Sequence, residues 1–199
     1  ARQIVRGDDL KAVRHAIDRI RRYHEAQVDK AWFIQGPGGE ILGQRVLPLE
    51  RVACYVPAGR APLVSSAIMS VVPATVAGVS EVVVATPPGP DGKANPYVLV
   101  AALEAGAHRV LKVGGAQAVA ALAYGTTWIP KVDKIVGPGN IFVTLAKKAV
   151  FGRVGIDGLN GPSELAVVAD DSVDPSWVAV DLVSQAEHDP EAQSLLFTA

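Results

Sequence analysis

Gln185 and His188 stand three residues apart near the end of a helix predicted over about 175–188, so the two side chains share one helical face. An imidazole beside an amide oxygen can hold a divalent metal, although glutamine is an uncommon ligand. A histidine at a helix C-terminus is also favoured by the helix dipole alone, and spacing does not decide between the two readings. Two strand-to-helix junctions form a second group. Val113-Gly114-Gly115-Ala116-Gln117 and Val136-Gly137-Pro138-Gly139-Asn140 each place glycines and then an amide side chain at a helix start. Backbone N–H groups there attract anions such as a pyrophosphate, and Gln117 or Asn140 can bond a ribose or an amide. The same residue types also make tight turns and cap helices. Tyr55 ends an apolar run before Pro57-Ala58-Gly59-Arg60, where it can stack on a ligand ring or fill the core. Ser163 lies in Gly161-Pro162-Ser163-Glu164. A nucleophile elbow of the form G-x-S-x-G would need glycine at Leu165, so Ser163 is left as a substrate contact or a turn serine.

The elements that must position these residues alternate along the chain. Amphipathic spacing at Leu10, Val13, Ile17 and Ile20 predicts a helix over 9–28, and Gly36-Pro37-Gly38-Gly39 reads as a turn. That turn is no dinucleotide fingerprint, since the third glycine of G-x-G-x-x-G is missing. Strands are expected near 51–56, 81–86, 109–113, 134–136, 154–156 and 164–169, with a last one at 194–199. Helices are expected near 65–77, 96–105, 114–124, 140–150 and 175–188. Short β-branched strands alternating with helices imply an α/β fold with a parallel sheet covered on both faces. In such a fold ligands bind at the carboxyl ends of the strands.

Composition excludes several classes. With 19 Lys and Arg against 20 Asp and Glu, the 199-residue chain has no basic footprint for nucleic acid, and Arg19, Arg21 and Arg22 fit a solvated helix face. The single cysteine, Cys54, rules out an internal disulfide and a cysteine zinc site, and it fits a reducing cytoplasm. The apolar stretches are broken by Pro or Gly before they reach membrane-spanning length, so no membrane association is expected. The chain opens almost directly on a charged helix and stops in an apolar strand, as a piece of a longer protein would.

Read in order, the segments from residue 36 to 199 resemble the histidinol dehydrogenase family. The resemblance is carried by Tyr55-Val56-Pro57, Val71-Val72-Pro73-Ala74, Ala77-Gly78-Val79, Val113-Gly114-Gly115-Ala116-Gln117-Ala118, Pro130-Lys131-Val132-Asp133-Lys134-Ile135, Gly137-Pro138-Gly139-Asn140, Gly161-Pro162-Ser163-Glu164 and Ser184-Gln185-Ala186-Glu187-His188. It implies a zinc-dependent, NAD-linked enzyme of histidine biosynthesis that oxidises L-histidinol through the aldehyde to L-histidine with two NAD. By the same resemblance Tyr55, Gln117 and Asn140 match NAD contacts. Ser163 matches a substrate contact. Gln185 and His188 match zinc ligands that also border the substrate. The family's catalytic Glu–His pair, its remaining Asp and His zinc ligands and further substrate contacts fall past residue 199. The family is a cytoplasmic homodimer whose sites draw on both subunits. Its pattern implies a Rossmann-like domain over 55–164, inserted into a second, incomplete Rossmann-like domain made of 1–54 and 165–199, the latter carrying the zinc ligands.

The chain departs from the family pattern in places. Ala58 stands for a usual glycine, Ala61-Pro62-Leu63-Val64-Ser65 replaces a Tyr-Pro-Ser run, Gly158 replaces a larger residue, and Asn160 adjoins Ser163 where alanine is typical. They keep two other readings in view: a related zinc and NAD dehydrogenase acting on another small alcohol such as a sulfonated diol, and a noncatalytic nucleotide-binding or dimer-forming module. The 199 residues alone, lacking the Glu–His pair, are expected to be inactive.

Overall fold

The computed structural model describes residues 1–58, 62–159 and 163–198. The chain divides into two units, Ala1–Gly158 and Leu159–Ala199.

In the first unit α1 (Gly7–Glu25) buries Val13 and Ile17, with Asp8 and Asp9 in its first turn and Arg22 and His24 in its last, as the helix dipole favours. An antiparallel hairpin of β1 (Trp32–Gln35) and β2 (Ile41–Gln44) closes around the glycine turn at 36–39, and the N–H of Gly36 donates to the carbonyl of Glu40 (2.8 Å). All eight strand residues are exposed, Trp32, Phe33 and Ile34 among them. The sequence reading had the turn but not these two strands.

Strands and helices then alternate: β3 (Arg51–Tyr55), α2 (Val64–Val76), β4 (Glu81–Ala85), α3 (Pro96–Ala105), β5 (Arg109–Leu111), α4 (Gly115–Tyr124), β6 (Lys134–Val136), α5 (Ile141–Val150) and β7 (Gly155–Ile156). The five strands make one parallel sheet in the order β5-β4-β3-β6-β7. Strands buried on both faces have no polar side to alternate with, which is why β3 and β4 read as continuous apolar runs. Their successive side chains still point to opposite faces. Val52, Cys54, Val56, Val82 and Val84 join the layer that holds Val13, Ile17, Val71 and Val98 from α1, α2 and α3. Ala53, Tyr55, Val83, Ala85 and Ile135 join the layer that holds Val119, Leu122 and Val143 from α4 and α5. Glu104 near the end of α3 accepts from the Arg2 guanidinium (2.8 Å) and from Arg14 of α1 (2.8 Å), pinning α1 onto the unit.

The strand order has a functional corollary. The chain builds outward from β3 through β4 to β5, then returns to lay β6 on the other side of β3. Loops leaving β3 and β6 therefore run to helices on opposite faces of the sheet, and open α/β sheets bind ligands in the crevice outside the carboxyl edge at such a reversal.

The second unit is a β-α-β element. β8 (Glu164–Ala169) and β9 (Gln193–Thr198) pair in parallel, joined through α6 (Pro175–Ala186). Pro175 occupies the first turn of α6, and Asp174 caps it by accepting the N–H of Ser176 (2.8 Å). Among the described residues of this unit only Val178 is buried, whereas Trp177, Val180, Val183 and Val168 are exposed.

Candidate functional site

Tyr55 lies at the switch point between β3 and β6 and is 4% exposed. Its phenol oxygen accepts the N–H of Gly115 (2.9 Å), the first residue of α4. At its other end, the Tyr55 carbonyl oxygen lies so close to Gly137 that a Cβ on that glycine would overlap it. Gly137 has φ +109°, a conformation that side-chain-bearing residues rarely adopt. One residue thus touches both glycine junctions that the sequence singles out. The core reading of Tyr55 is realised, at the carboxyl end of β3.

Asn140 is the N-cap of α5, its Oδ1 accepting the N–H of Val143 (3.1 Å). Its amide nitrogen has no hydrogen-bond partner among the described residues. Gln117 is exposed in the first turn of α4 and folds its amide back over Gly115. Both junctions present helix N-termini at the carboxyl edge of the sheet, a setting that attracts an anionic group.

An ion pair with a buried lysine and a half-exposed aspartate, absent from the sequence reading, anchors the second junction. Lys147 of α5 is 2% exposed. Its ammonium donates to the Gly137 carbonyl (3.0 Å) and to Oδ1 of Asp157, just after β7. Oδ2 of Asp157 accepts the Gly137 N–H (2.7 Å). A sequence signal for this did exist: Val143, Lys147 and Val150 lie on one stripe of α5, and all three are buried. Cys54, beneath this region, has its thiol pKa pushed up to about 12, chiefly by burial and secondarily by the Asp157 charge, so it is an inert core residue.

In the second unit α6 ends at Ala186, two residues before His188, which corrects the expected helix end and the single helical face. His188 instead sits in the following turn, its N–H donating to the Gln185 carbonyl (3.3 Å). Its ring Nδ1 lies 2.6 Å from the Ser184 carbonyl. A carbonyl can only accept, so Nδ1 carries the proton and Nε2 keeps its lone pair. A metal-binding histidine is held in this way by its second nitrogen. Gln185 Nε2 donates to the Ser163 carbonyl (3.4 Å), which leaves Oε1 as its donor atom towards a metal. The donor set therefore fits two zinc ligands. The structure joins Gln185 to Ser163 and to the turn that holds His188. Among the described residues no three His, Cys, Asp or Glu side chains gather in a metal cluster.

Of the other histidines, His108 accepts the Val82 N–H at Nδ1 (3.0 Å) and His24 pairs with Gln27 (2.6 Å). A shallow concavity of about 290 Å³ lined by Lys131, Asp133, Phe151 and Arg153 lies at the amino-terminal edge of β6 and β7, the edge opposite the crevice. Gly59, Arg60, Ala61, Asn160, Gly161 and Pro162 of the expected motifs fall outside the described residues. No helix among the described residues is long and apolar enough to cross a membrane.

Comparison with known proteins identifies the family. A sequence profile for histidinol dehydrogenase matches residues 1–199. The chain is 58% identical over 189 residues to histidinol dehydrogenase from a Synechococcus species, covering 95% of this chain and 44% of that protein. It is 55% identical over 194 residues to the enzyme of that name from Geobacter metallireducens, covering 98% of this chain and again 44% of the relative. The crystal structure of histidinol dehydrogenase from Elizabethkingia anophelis superposes with a TM-score of 0.91 at 38% identity, covering 98% of this chain and 46% of that one. The chain spans a little under half the length of the relatives it matches, and over that span it belongs to the histidinol dehydrogenase family.

Proposed function

We propose that the protein containing this chain oxidises L-histidinol through the aldehyde to L-histidine, using two NAD and one zinc, as a homodimer. The carrying observation is the placement of Tyr55 and the Gly137–Asn140 loop at the switch point of the parallel sheet, in a chain of this family. The first unit is then the cofactor side. The N-termini of α4 and α5 meet the negative pyrophosphate, and the Asn140 amide nitrogen donates to the cofactor while its oxygen stays committed to the cap. Gln117 adds an exposed amide, and Tyr55 fixes the Gly114–Gly115 turn with its hydroxyl.

The second unit is the metal and substrate side. Gln185 Oε1 and His188 Nε2 would hold zinc, and Ser163 would contact substrate beside them. When bound, zinc lowers the pKa of the substrate hydroxyl, and NAD accepts the hydride. The resemblance assigns the base that removes the hydroxyl proton to a Glu–His pair past residue 199. Residues 165–199 fit part of a second α/β domain: a lone two-stranded parallel pair is marginal in water, and its apolar side chains are uncovered here. Residues 1–54 lend that domain less support, since α1 and β3 pack within the first unit.

The test is NADH formation by the full-length zinc-loaded protein on histidinol, expected at two NADH per substrate. No NADH from histidinol, with turnover of a sulfonated diol, would move the assignment to that related chemistry, and no turnover of either would leave a binding module. In His188→Asn we expect zinc affinity to fall by more than the roughly 10–100-fold that loss of an outer-shell partner costs. Asn140→Asp keeps the cap acceptor and removes the amide donor. We expect KM for NAD to rise about tenfold with an unchanged melting temperature.

A further inference from the structure

Lys147 and Asp157 lie outside every ligand role assigned above, and the burial of the Lys147 ammonium against a half-exposed carboxylate demands an explanation. Taking the Lys147 ammonium out of water costs more than an apolar side chain of the same volume would, and pairing it with a carboxylate is often no more stabilising than that apolar replacement. The pair is neutral as a whole, so it contributes little long-range field at the crevice. What it has in abundance is direction. Lys147 Nζ holds the Gly137 carbonyl (3.0 Å), and Asp157 Oδ2 holds the Gly137 N–H (2.7 Å), so the peptide groups on both sides of one glycine are gripped at once. The direct Lys147–Asp157 contact closes the ring, and the N–H of Gly158 donates to Asp157 Oδ1 (2.8 Å), fixing the carboxylate itself.

The gripped glycine is the one pressed against the Tyr55 carbonyl at φ +109°, three residues before the cap Asn140. A loop that begins in that conformation and ends in a cap has few ways to relax once both peptide groups of its first residue are held. Helical side chains lean toward the N-terminus of their own helix, so Lys147, in the penultimate turn of α5, reaches back to the loop that starts α5.

We propose that Lys147 and Asp157 are positioning residues for the cofactor: they set the Gly137–Asn140 loop in the form that presents the α5 N-terminus and the Asn140 amide. This inference rests on the reading that the loop meets NAD. It is tested in the full-length protein with Lys147→Met, with Asp157→Asn, and with the double variant, which leaves no unpaired charge buried. NADH affinity is read by fluorescence titration, alongside KM for histidinol at saturating NAD and the melting temperature. The expected result is NADH binding weakened about tenfold with KM for histidinol within about twofold of the parent. If a single variant does not fold, the double variant is read in its place against the same expectation. Unchanged NADH affinity with a lowered melting temperature makes the pair a structural tie only and overturns the proposal. Asn140→Asp separates the two failures. If it weakens NADH binding while the Lys147 and Asp157 variants do not, positioning alone falls. If it too has no effect, the reading of this loop as a cofactor contact falls with it.

Discussion

Asn140 and His188 each commit one polar side-chain atom to the fold and leave another outside it. Asn140 caps α5 through Oδ1 and keeps its amide nitrogen for another partner; His188 ties its ring to the last turn of α6 through Nδ1 and keeps Nε2. From sequence, helix cap and ligand contact are rival readings of the same residue. In the structure the two readings are compatible, because the bond to the fold takes one atom and leaves the other available. Residue type and spacing made both positions visible, but only the hydrogen-bond partner shows which atom is taken. Gly137 carries the sharpest single-residue expectation. In Gly137→Ala the new methyl would meet the Tyr55 carbonyl in a backbone conformation that already disfavours it. Strained dihedrals alone cost roughly 1–3 kcal/mol, and the overlap adds to that. We expect a loss of about 3 kcal/mol or more in chemical denaturation, and a variant as stable as the parent would contradict the close approach.

The elements that sequence located best were those with one unambiguous period. β3 and β4 are unbroken apolar runs between turns, and α3 carries Asn95 and Pro96 at its start. The hairpin of β1 and β2 was illegible because its eight residues bury no face, which leaves no alternation to find. The end of α6 was overrun by two residues because Glu187 and His188 have nothing against helix, and only the change in hydrogen bonding marks the stop. Strand order was likewise beyond sequence, yet it alone sets Tyr55 beside the Gly137 turn. The docking of α1 on α3 offers a test at this scale. The hydrogen bond from Arg14 holds the Glu104 carboxyl below the ordinary glutamate range, helped by the charges of Arg14 and Arg2 and opposed by burial. A carboxylate whose folded pKa is lowered stabilises the fold fully above the ordinary glutamate range. That stabilisation is lost as pH falls through the range to the lower folded value. Glu104→Gln should therefore reduce stability at neutral pH by about 1 kcal/mol or less, since both arginines are largely solvated. In thermal melts the gap to the parent should close as the pH drops below the carboxylate range; a gap independent of pH would remove the ion pair as its cause.

On the proposed reading, the chain holds the cofactor side of the site and only part of the metal and substrate side. It carries the three expected cofactor residues, two of four expected zinc ligands and no expected base, over 44% of the length of its Synechococcus relative. We expect the 199 residues alone to form no NADH from histidinol and to retain zinc far more weakly than the full-length protein, measured by metal content after dialysis. Robust turnover by the chain alone would place a base within it. One feature of the first unit bears on what such a chain could accept. Tyr55 braces the Gly115 turn with its hydroxyl and the Gly137 turn with its own carbonyl, so the gap between the two turns equals the reach of a single phenol and its backbone. That makes the residue a ruler. On the proposed reading, a cofactor entering between the two turns would be measured against a rigid length rather than gripped by a closing hand.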